Sequence, residues 1–490
     1  MKIKSVTINN FRSIQYAKIE LQDYSIIVGE NNVGKSNIID AIRFFYGDIE
    51  LTIDEWCWIS KDDSFDVWVE VEYDVPSQEY NKLPPEYRIH QDKLRVRKEI
   101  DWSIVSSADV NTSIKTRYVC PGATKSDRPI EDFLGKVIYI PSGDNIRYTY
   151  KSVLDKLNES IHKRIARQKA SYKFLFKYEF NKLEQKIANE IQALGIQPNV
   201  SFDTQISKSP LFIHVTEGFV PMDVRSLSTG TQRRIIAGLI KINAQFDEKL
   251  YGIKPTVLLY EEPETYMHPS AIADLAYDLR CFAKIPNQQV IATTHSGHMV
   301  SENIMDIRSI TRVDKQQGFT VVHQNKIPDT ELEFAKNLVY FDRPRSDIFF
   351  AKKVVLIEGP TEYMLYNYLK QRGDLPHLLT QGVTVIDTIG KWSMPYFQKI
   401  LNNYNIRHSV LYDTDGDPNR ADNIAVVKEF SGLTDYSYGF PRDIETFCGI
   451  KKSGNPAINI INKFKDGTVA QEKQSEIVRI FKNLITQQEK

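Results

Sequence analysis

The chain has 490 residues, more than one hydrophobic core ordinarily supports, so two or three domains are expected. Hydrophobic residues make up 41% and charged residues 26%, an ordinary globular balance, and 63 Lys+Arg offset 63 Asp+Glu to zero net charge. That neutrality argues against a dedicated nucleic-acid coat protein but suits an enzyme with acidic metal sites beside basic tracks, so charge alone does not select the partner.

In chain order, Ile3, Val6 and Ile8 open a strand, Tyr24–Val28 reads as a buried strand, and Asn37–Phe45 as a helix. Phe65, Val67, Val69, Val71, Tyr73 and Val75 alternate with Asp66, Trp68, Glu70, Glu72 and Asp74, the period of two of a half-buried strand. From Lys151 the pattern turns helical: Phe180, Leu183, Ile187, Ile191 and Leu194 recur at helical spacing, Lys and Arg are dense up to Lys186, and Gly195 and Pro198 end it. This helical insertion, about 151–197, is an amphipathic hairpin whose surface serves either self-association or nucleic acid. A mixed pattern resumes after Pro210. Pro328, Pro344 and several charges mark a passage, so domains are expected at 1–335 and 353–490 with a linker at 336–352. In the second domain the apolar runs Val354–Ile357, Val383–Ile386 and Ser409–Tyr412 alternate with helical stretches, which predicts a small parallel sheet. Cys57, Cys120, Cys281 and Cys448 form no Cys-x-x-Cys pair, which suits a reducing cytoplasm rather than a zinc ribbon or disulfide framework. The opening MKIKSVTINNF has no apolar signal core, and no apolar run approaches the ~20 residues of a bilayer span, so a cytoplasmic protein without membrane is expected.

Gly29-Glu-Asn31-Asn32-Val-Gly34-Lys35-Ser36 satisfies G-x-x-x-x-G-K-[ST] between a predicted strand and a predicted helix. Backbone N–H groups of such a loop wrap phosphate oxygens at a positive helix N-terminus; Lys35 neutralises the β- and γ-phosphates and Ser36 offers its hydroxyl to Mg²⁺. A phosphate-bearing nucleotide is therefore the expected ligand. Ile8-Asn-Asn-Phe11-Arg12-Ser13-Ile14 and the loop GENNVGKSNIIDAI resemble the head domains of the RecF, Rad50 and SMC group of ABC ATPases. That resemblance implies further elements in order. Leu227-Ser228-Thr-Gly230-Thr-Gln-Arg233 resembles the ABC signature, departing from LSGGQ. Val257-Leu-Leu-Tyr-Glu261-Glu262-Pro-Glu264 resembles Walker B, with Glu261 where Asp is usual and Glu262 at the general-base position. His295, after the apolar run Gln289–Thr293, resembles the switch histidine that senses the γ-phosphate. In such ATPases one subunit's signature completes its partner's site, so the resemblance implies a homodimer or higher homo-oligomer.

A second set of acids follows. Val354–Ile357 leads into Glu358-Gly359-Pro-Thr-Glu362, and Ser409–Tyr412 into Asp413-Thr414-Asp415-Gly-Asp417. In open parallel sheets the C-terminal strand ends meet at one crevice, which brings Glu358 to Asp413 and Asp415. Hard oxygen donors suit Mg²⁺ or Mn²⁺. Asp387 and Gly390-Lys391 are support candidates. A strand-Glu-Gly followed by a strand-Asp-x-Asp resembles the TOPRIM domain, and Phe350–Glu362 with the Glu-Glu-Pro-Glu form of Walker B resembles the OLD family of nucleases (overcoming lysogenization defect), including GajA-like and retron-associated effectors. The resemblance covers nearly the whole chain. It implies an α/β protein: an ABC-type head with mixed sheet, P-loop and helical insertion, then a smaller Rossmann-like TOPRIM domain. It further implies that Glu358, Glu362, Asp413 and Asp415 hold one or two divalent ions for phosphodiester hydrolysis, with Glu445 a further ligand and Thr414 a possible oxygen donor. DNA is the expected substrate, RNA stays open, and a role in antiviral defence with a partner subunit is implied. One departure stands out: the lysine that OLD nucleases place before a proline near the C-terminus is absent from Ser453-Gly454-Asn455-Pro456, with Lys451, Lys452 and Lys463 as substitutes. The competing readings are a DNA-sensing ATPase with a structural acidic cluster, and topoisomerase or primase chemistry, for whose extra modules the chain has no room. A nucleotide-held dimer would occlude DNA, so ATP is expected to restrain cutting.

Overall fold

A computed structural model describes residues 1–50, 66–100, 115–123, 129–142, 255–301, 304–328, 343–376, 382–451 and 454–486, with three strands and scattered helical positions between 181 and 239. The chain forms two compact units, Met1–Glu302 with Ser309–Val322, and Asn303–Arg308 with His323–Lys490.

The first unit opens with β1 (Lys2–Phe11) and β2 (Ile14–Glu20), then β3 (Tyr24–Val28) and the helix Lys35–Tyr46. The strand expected from the period-two pattern is β4 (Trp68–Asp74): Val69, Val71 and Tyr73 are fully buried, while Glu70 and Glu72 point outward to Arg97 and Arg95, both at 2.8 Å. With β5 (Lys93–Ile100) and β6 (Thr116–Val119) these strands make an antiparallel sheet in the order β2-β1-β4-β5-β6.

The sheet that positions the nucleotide motifs comprises β3, β7 (Lys136–Ile140), β11 (Thr256–Glu261), β12 (Gln288–Thr294), β13 (Ile310–Gln316) and β14 (Phe319–Gln324), ordered β14-β13-β3-β12-β11-β7. Its strands β13, β3, β12, β11 and the edge strand β7 run parallel and, in β3, β11 and β12, every residue is buried, which is why these three show no alternation of apolar and exposed polar residues. A small antiparallel sheet joins β8 (Pro198–Phe202), β9 (Leu211–Glu217) and β10 (Val220–Asp223). The helical insertion expected at 151–197 lies outside the described residues, apart from isolated helical positions from Asn181 onward.

The second unit is built on four parallel strands, β15 (Lys353–Ile357), β16 (Val383–Asp387), β17 (Arg407–Asp413) and β18 (Thr434–Phe440), in the order β16-β15-β17-β18. The chain leaves β15 for β16 on one side and returns to β17 on the other. The reversal opens a crevice at the C-terminal ends of β15 and β17, where such sheets bind ligands. Helices Pro360–Arg372, Pro456–Lys465 and Gln471–Thr486 supply Leu365, Leu369, Ile460, Phe464, Ile477 and Phe481 to one core with Val355, Ile357 and Leu411. The stretch expected as a passage between domains contributes to this unit: Ile348 and Phe349 are fully buried, Phe349 meets the Tyr404 ring edge-on at 5.1 Å, and Arg345 donates to the Asp387 carbonyl at 2.9 Å. Among the described residues no helix is long and apolar enough to cross a membrane.

Candidate functional site

The phosphate-binding loop sits between β3 and the helix Lys35–Tyr46. Gly34 caps that helix at φ 108°, and a Cβ there would lie 2.0 Å from Thr320 Oγ1, so only glycine fits. The Thr320 hydroxyl pins the loop by donating to Val33 O (2.8 Å) and meeting Ser13 Oγ (2.6 Å), which also accepts from Asn37 Nδ2 (2.6 Å). Asn31, Asn32 and Ser36 are exposed, and Asn32 takes φ 63°. The Lys35 ammonium folds back onto the carbonyls of Gly29 (3.0 Å) and Glu30 (2.6 Å). Burial brings its pKa down to about 8, against the pull of Glu262, Glu264 and Glu261.

The strand ends beside the loop carry the expected acids. Buried Glu261 accepts from the Tyr139 hydroxyl at 2.8 Å; the Tyr139 ring lies 3.7 Å under the Arg43 guanidinium, itself 2.8 Å from Asp40. Glu262 adopts φ 43°, and its Oε1 is 3.4 Å from His295 Nε2. Burial, then Lys35, lowers the His295 pKa against the pull of Glu262. Glu264 closes the Walker B run. Its Oε1 accepts from Thr294 Oγ1 and His295 N, each at 2.7 Å, so it fixes the backbone that carries the histidine. Ser228 lies outside the described residues. Gly230 is helical and tightly packed: a Cβ would come within 3.0 Å of Tyr266 O and 3.2 Å of Met267 Cγ.

In the second unit Glu358 leaves β15 and Asp413 ends the adjacent β17; Glu358 Oε2 accepts from Asp413 N at 3.0 Å. Glu362 stands one helical turn on, 5% exposed, and folds back to accept from Gly359 N at 3.1 Å. Burial, reinforced by Glu358 and Glu445, raises its pKa to about 7. For Asp413, burial followed by Glu362, Glu358, Glu445 and Asp443 pushes the pKa up to about 9. Its Oδ1 is buried with no hydrogen-bond partner. Glu445 is 2% exposed in the short helix Ile444–Phe447, which Asp443 caps by accepting from Thr446 N at 2.6 Å.

The other expected acid is held by ion pairs. Asp415, at φ 54°, places Oδ2 2.7 Å from Lys391 Nζ and 3.0 Å from Arg420 Nη1. Lys391 is 4% exposed; its ammonium also donates to the Asp413 carbonyl and lies 3.7 Å from buried Asp422. The Thr414 hydroxyl donates to the carbonyls of Phe440 (2.9 Å) and Pro441 (2.6 Å). The structure thus gathers Glu358, Glu362, Asp413 and Glu445, with Asp415 close enough to act on Glu358 while paired with Lys391 and Arg420. Among the described residues no three His, Cys, Asp or Glu side chains form a ready-made metal cage. The residues nevertheless fit a hard divalent cation: the donors are all carboxylates, mutually repelling, with one buried oxygen lacking a partner.

A family model described as an AAA ATPase domain matches residues 1–55 and 48–300. The chain belongs to this ATPase family. A second model, described as an Overcoming lysogenization defect protein-like TOPRIM domain, matches residues 349–415, so this AAA ATPase carries an OLD-like TOPRIM domain that spans both strand-end acids. It is 23% identical over 465 residues to the Old nuclease of Escherichia phage P2, covering 85% of this chain and 77% of that protein. Against the OLD nuclease of Thermus scotoductus it is 23% identical over 450 residues, covering 84% and 82%. Against Endonuclease GajA of Bacillus cereus it is 22% identical over 465 residues, covering 85% and 75%. In fold it is similar to a solved SMC head bound to the C-winged helix domain of ScpA, with TM-score 0.52 and 16% identity over 68% of this chain and 99% of that one.

At the position of the absent lysine, Asn455 serves this ATPase as a helix cap, its Oδ1 accepting from Ile458 N at 3.2 Å ahead of Pro456. Of the substitutes, Lys452 lies outside the described residues, Lys451 is exposed, and Lys463 sits 3.7 Å from Asp466. Lys391 is the buried lysine that touches the crevice.

Proposed function

We propose that this ATPase is an ATP-binding, divalent-metal-dependent DNA endonuclease or nickase of the OLD type, with the first unit binding nucleotide and the second cutting. The observation that carries the reading is the crowding of buried acids around Asp413 at the β15–β17 crevice, with its Oδ1 left without a partner. So many buried carboxylates drawn together, with the Lys391 ammonium acting on Glu358 but Asp413 Oδ1 left without a partner, favour the binding of a further cation. Glu358, Glu362, Asp413 and Glu445 would hold one or two Mg²⁺ or Mn²⁺ ions. When bound, such ions supply a polarised phosphate, an activated water and a stabilised leaving oxygen. Lys391 fixes the loop that carries Asp413 and Asp415, setting the acids' geometry before substrate arrives.

In the first unit Lys35 would release the loop carbonyls to take the β- and γ-phosphates, Ser36 and Glu261 would hold Mg²⁺, and Glu262 with His295 would orient the attacking water. Signature residues Ser228 and Gly230 would complete the site of a second copy, making a homodimer the smallest active unit. ATP restrains cutting by holding that dimer closed over the DNA path. Antiphage defence, with a partner subunit, is the role that the OLD and GajA resemblance implies.

The test incubates supercoiled plasmid with wild type, Lys35→Ala and Asp413→Asn in Mg²⁺ or Mn²⁺, with and without ATP. Wild type should nick or cut, Asp413→Asn should not, and Lys35→Ala should cut without responding to ATP. An uncut plasmid beside a cleaved RNA transcript would reassign the substrate; neither cleaved would overturn the hydrolase reading.

A further inference from the structure

The turn Thr388–Trp392, between β16 and the helix Met394–Asn403, is fastened to the carboxylate crevice at three points. Thr388 N donates to Ile357 O at 2.9 Å, Gly390 N to Glu358 O at 2.7 Å, and Lys391 Nζ reaches the Asp413 carbonyl and, at 2.7 Å, Asp415 Oδ2. Ser393 tightens it by donating to Gly390 O at 2.8 Å. Polarity in this turn is inverted. Thr388 and Lys391 are 0% and 4% exposed, while Ile389 and Trp392 are 57% and 62% exposed. Folding alone favours the opposite arrangement, since large apolar side chains gain by burial. Ile389 also sits at φ 57°, a region that β-branched residues almost never occupy. A strained, rigidly tethered backbone that lifts two apolar side chains into water beside a reactive centre points to a ligand that covers them.

We propose that Ile389 and Trp392 form a base-contact platform: Trp392 stacks on a nucleobase of the strand held at the carboxylates, and Ile389 wedges against the neighbouring base. The inference rests on the nuclease reading and deepens it. The ligand's chemistry follows from what surrounds the turn. A nucleotide presents an aromatic face, a phosphate and little else. The crevice presents an indole face, carboxylates suited to a metal that takes phosphate, and the guanidinium groups of Arg420 and Arg442, whose side chains are 44% and 72% exposed. Arg442 is tied to the same loop, its carbonyl accepting from Asp415 N at 2.8 Å. Two apolar side chains among charges are too small a surface for a stable protein interface, but one aromatic face is what an unstacked base requires. The platform therefore selects DNA whose bases are locally unpaired or easily unstacked next to the scissile phosphate.

The test measures anisotropy of a labelled single-stranded oligonucleotide, and of its duplex, with the full chain in Ca²⁺, for wild type, Trp392→Phe and Trp392→Ala. Mn²⁺ affinity and oligomeric state are measured on the same samples, and plasmid cutting by wild type in parallel. Stacking on one base predicts that Trp392→Ala weakens single-strand binding roughly 5- to 150-fold, that Trp392→Phe keeps most of the affinity, and that Mn²⁺ affinity is unchanged in both. Equal oligonucleotide affinity of Trp392→Ala and wild type, while wild type cuts plasmid, would overturn the platform and spare the nuclease. A loss of Mn²⁺ affinity in Trp392→Ala would make the residue structural, and a changed oligomeric state with unchanged oligonucleotide affinity would make it a protein contact; either overturns the platform. Wild type that neither binds oligonucleotide nor cuts would overturn both readings.

Discussion

Asp413→Asn separates a built metal site from an acidic loop through its effect on folding, without any substrate. Four other acids and burial lift the Asp413 pKa from 3.8 to about 9. Between those values the folded chain keeps a proton that the unfolded chain has released, so the residue's contribution falls as pH rises. One proton difference is about 1.4 kcal/mol per pH unit, so from pH 5 to pH 8 the metal-free second unit should lose about 4 kcal/mol that asparagine would not lose. Hydrogen exchange of the β15 and β17 amides in EDTA, at both pH values, measures this locally in the full chain. Wild type should lose protection at pH 8 relative to Asp413→Asn, and saturating Mn²⁺ should restore it in wild type alone. Parallel pH dependence in the two proteins would refute the reasoning, because the acids would then be solvated rather than crowded.

The same crowding predicts proton release: at pH 7 Mn²⁺ must displace nearly the whole Asp413 proton and half of the Glu362 proton, about one and a half in all. Calorimetry in two buffers of different ionisation enthalpy counts them, and no release would contradict the assigned ligands. Glu262→Gln should retain ATP while slowing its hydrolysis by at least ~100-fold, read by phosphate release; unchanged turnover would remove Glu262 from the base position. Gly34→Ala places a methyl 2.0 Å from Thr320 Oγ1 and should abolish ATP binding by equilibrium dialysis, with Thr320→Ser restoring none of it because the hydroxyl stays. Lys391→Met should weaken Mn²⁺ binding by loosening the 413–415 loop; an affinity equal to wild type would leave Lys391 without a positioning role.

Much of the site was legible because its chemistry depends on short runs at strand ends. Gly29–Ser36, Glu261-Glu262, His295, Glu358 and Asp413 each follow an apolar run that is β3, β11, β12, β15 or β17 in the structure. What the sequence could not convey is which way a side chain turns once the loop closes. Asp415 follows Asp413 by two residues, yet its positive φ swings it to Lys391 and Arg420. Lys391 stands 22 residues before Asp413, and only the β16-β15-β17 order brings its ammonium to the Asp413 carbonyl. Strand β18 is not legible in the sequence because TDYSYGF carries polar residues and Gly439, where a Cβ would lie 3.0 Å from Thr414 Cγ2. Asn455 shows the converse: the Asn-Pro pair, which the sequence marks only by the lysine it does not carry, is a helix cap in the structure.

The most direct measurement of the central claim is anomalous diffraction from crystals of the full chain soaked in Mn²⁺. The account predicts a manganese peak in coordination contact with Asp413 Oδ1 and Glu358, with Glu362 and Glu445 turned toward it. A crystal in which manganese binds only at the phosphate-binding loop, leaving the β15–β17 crevice without a peak, would contradict it.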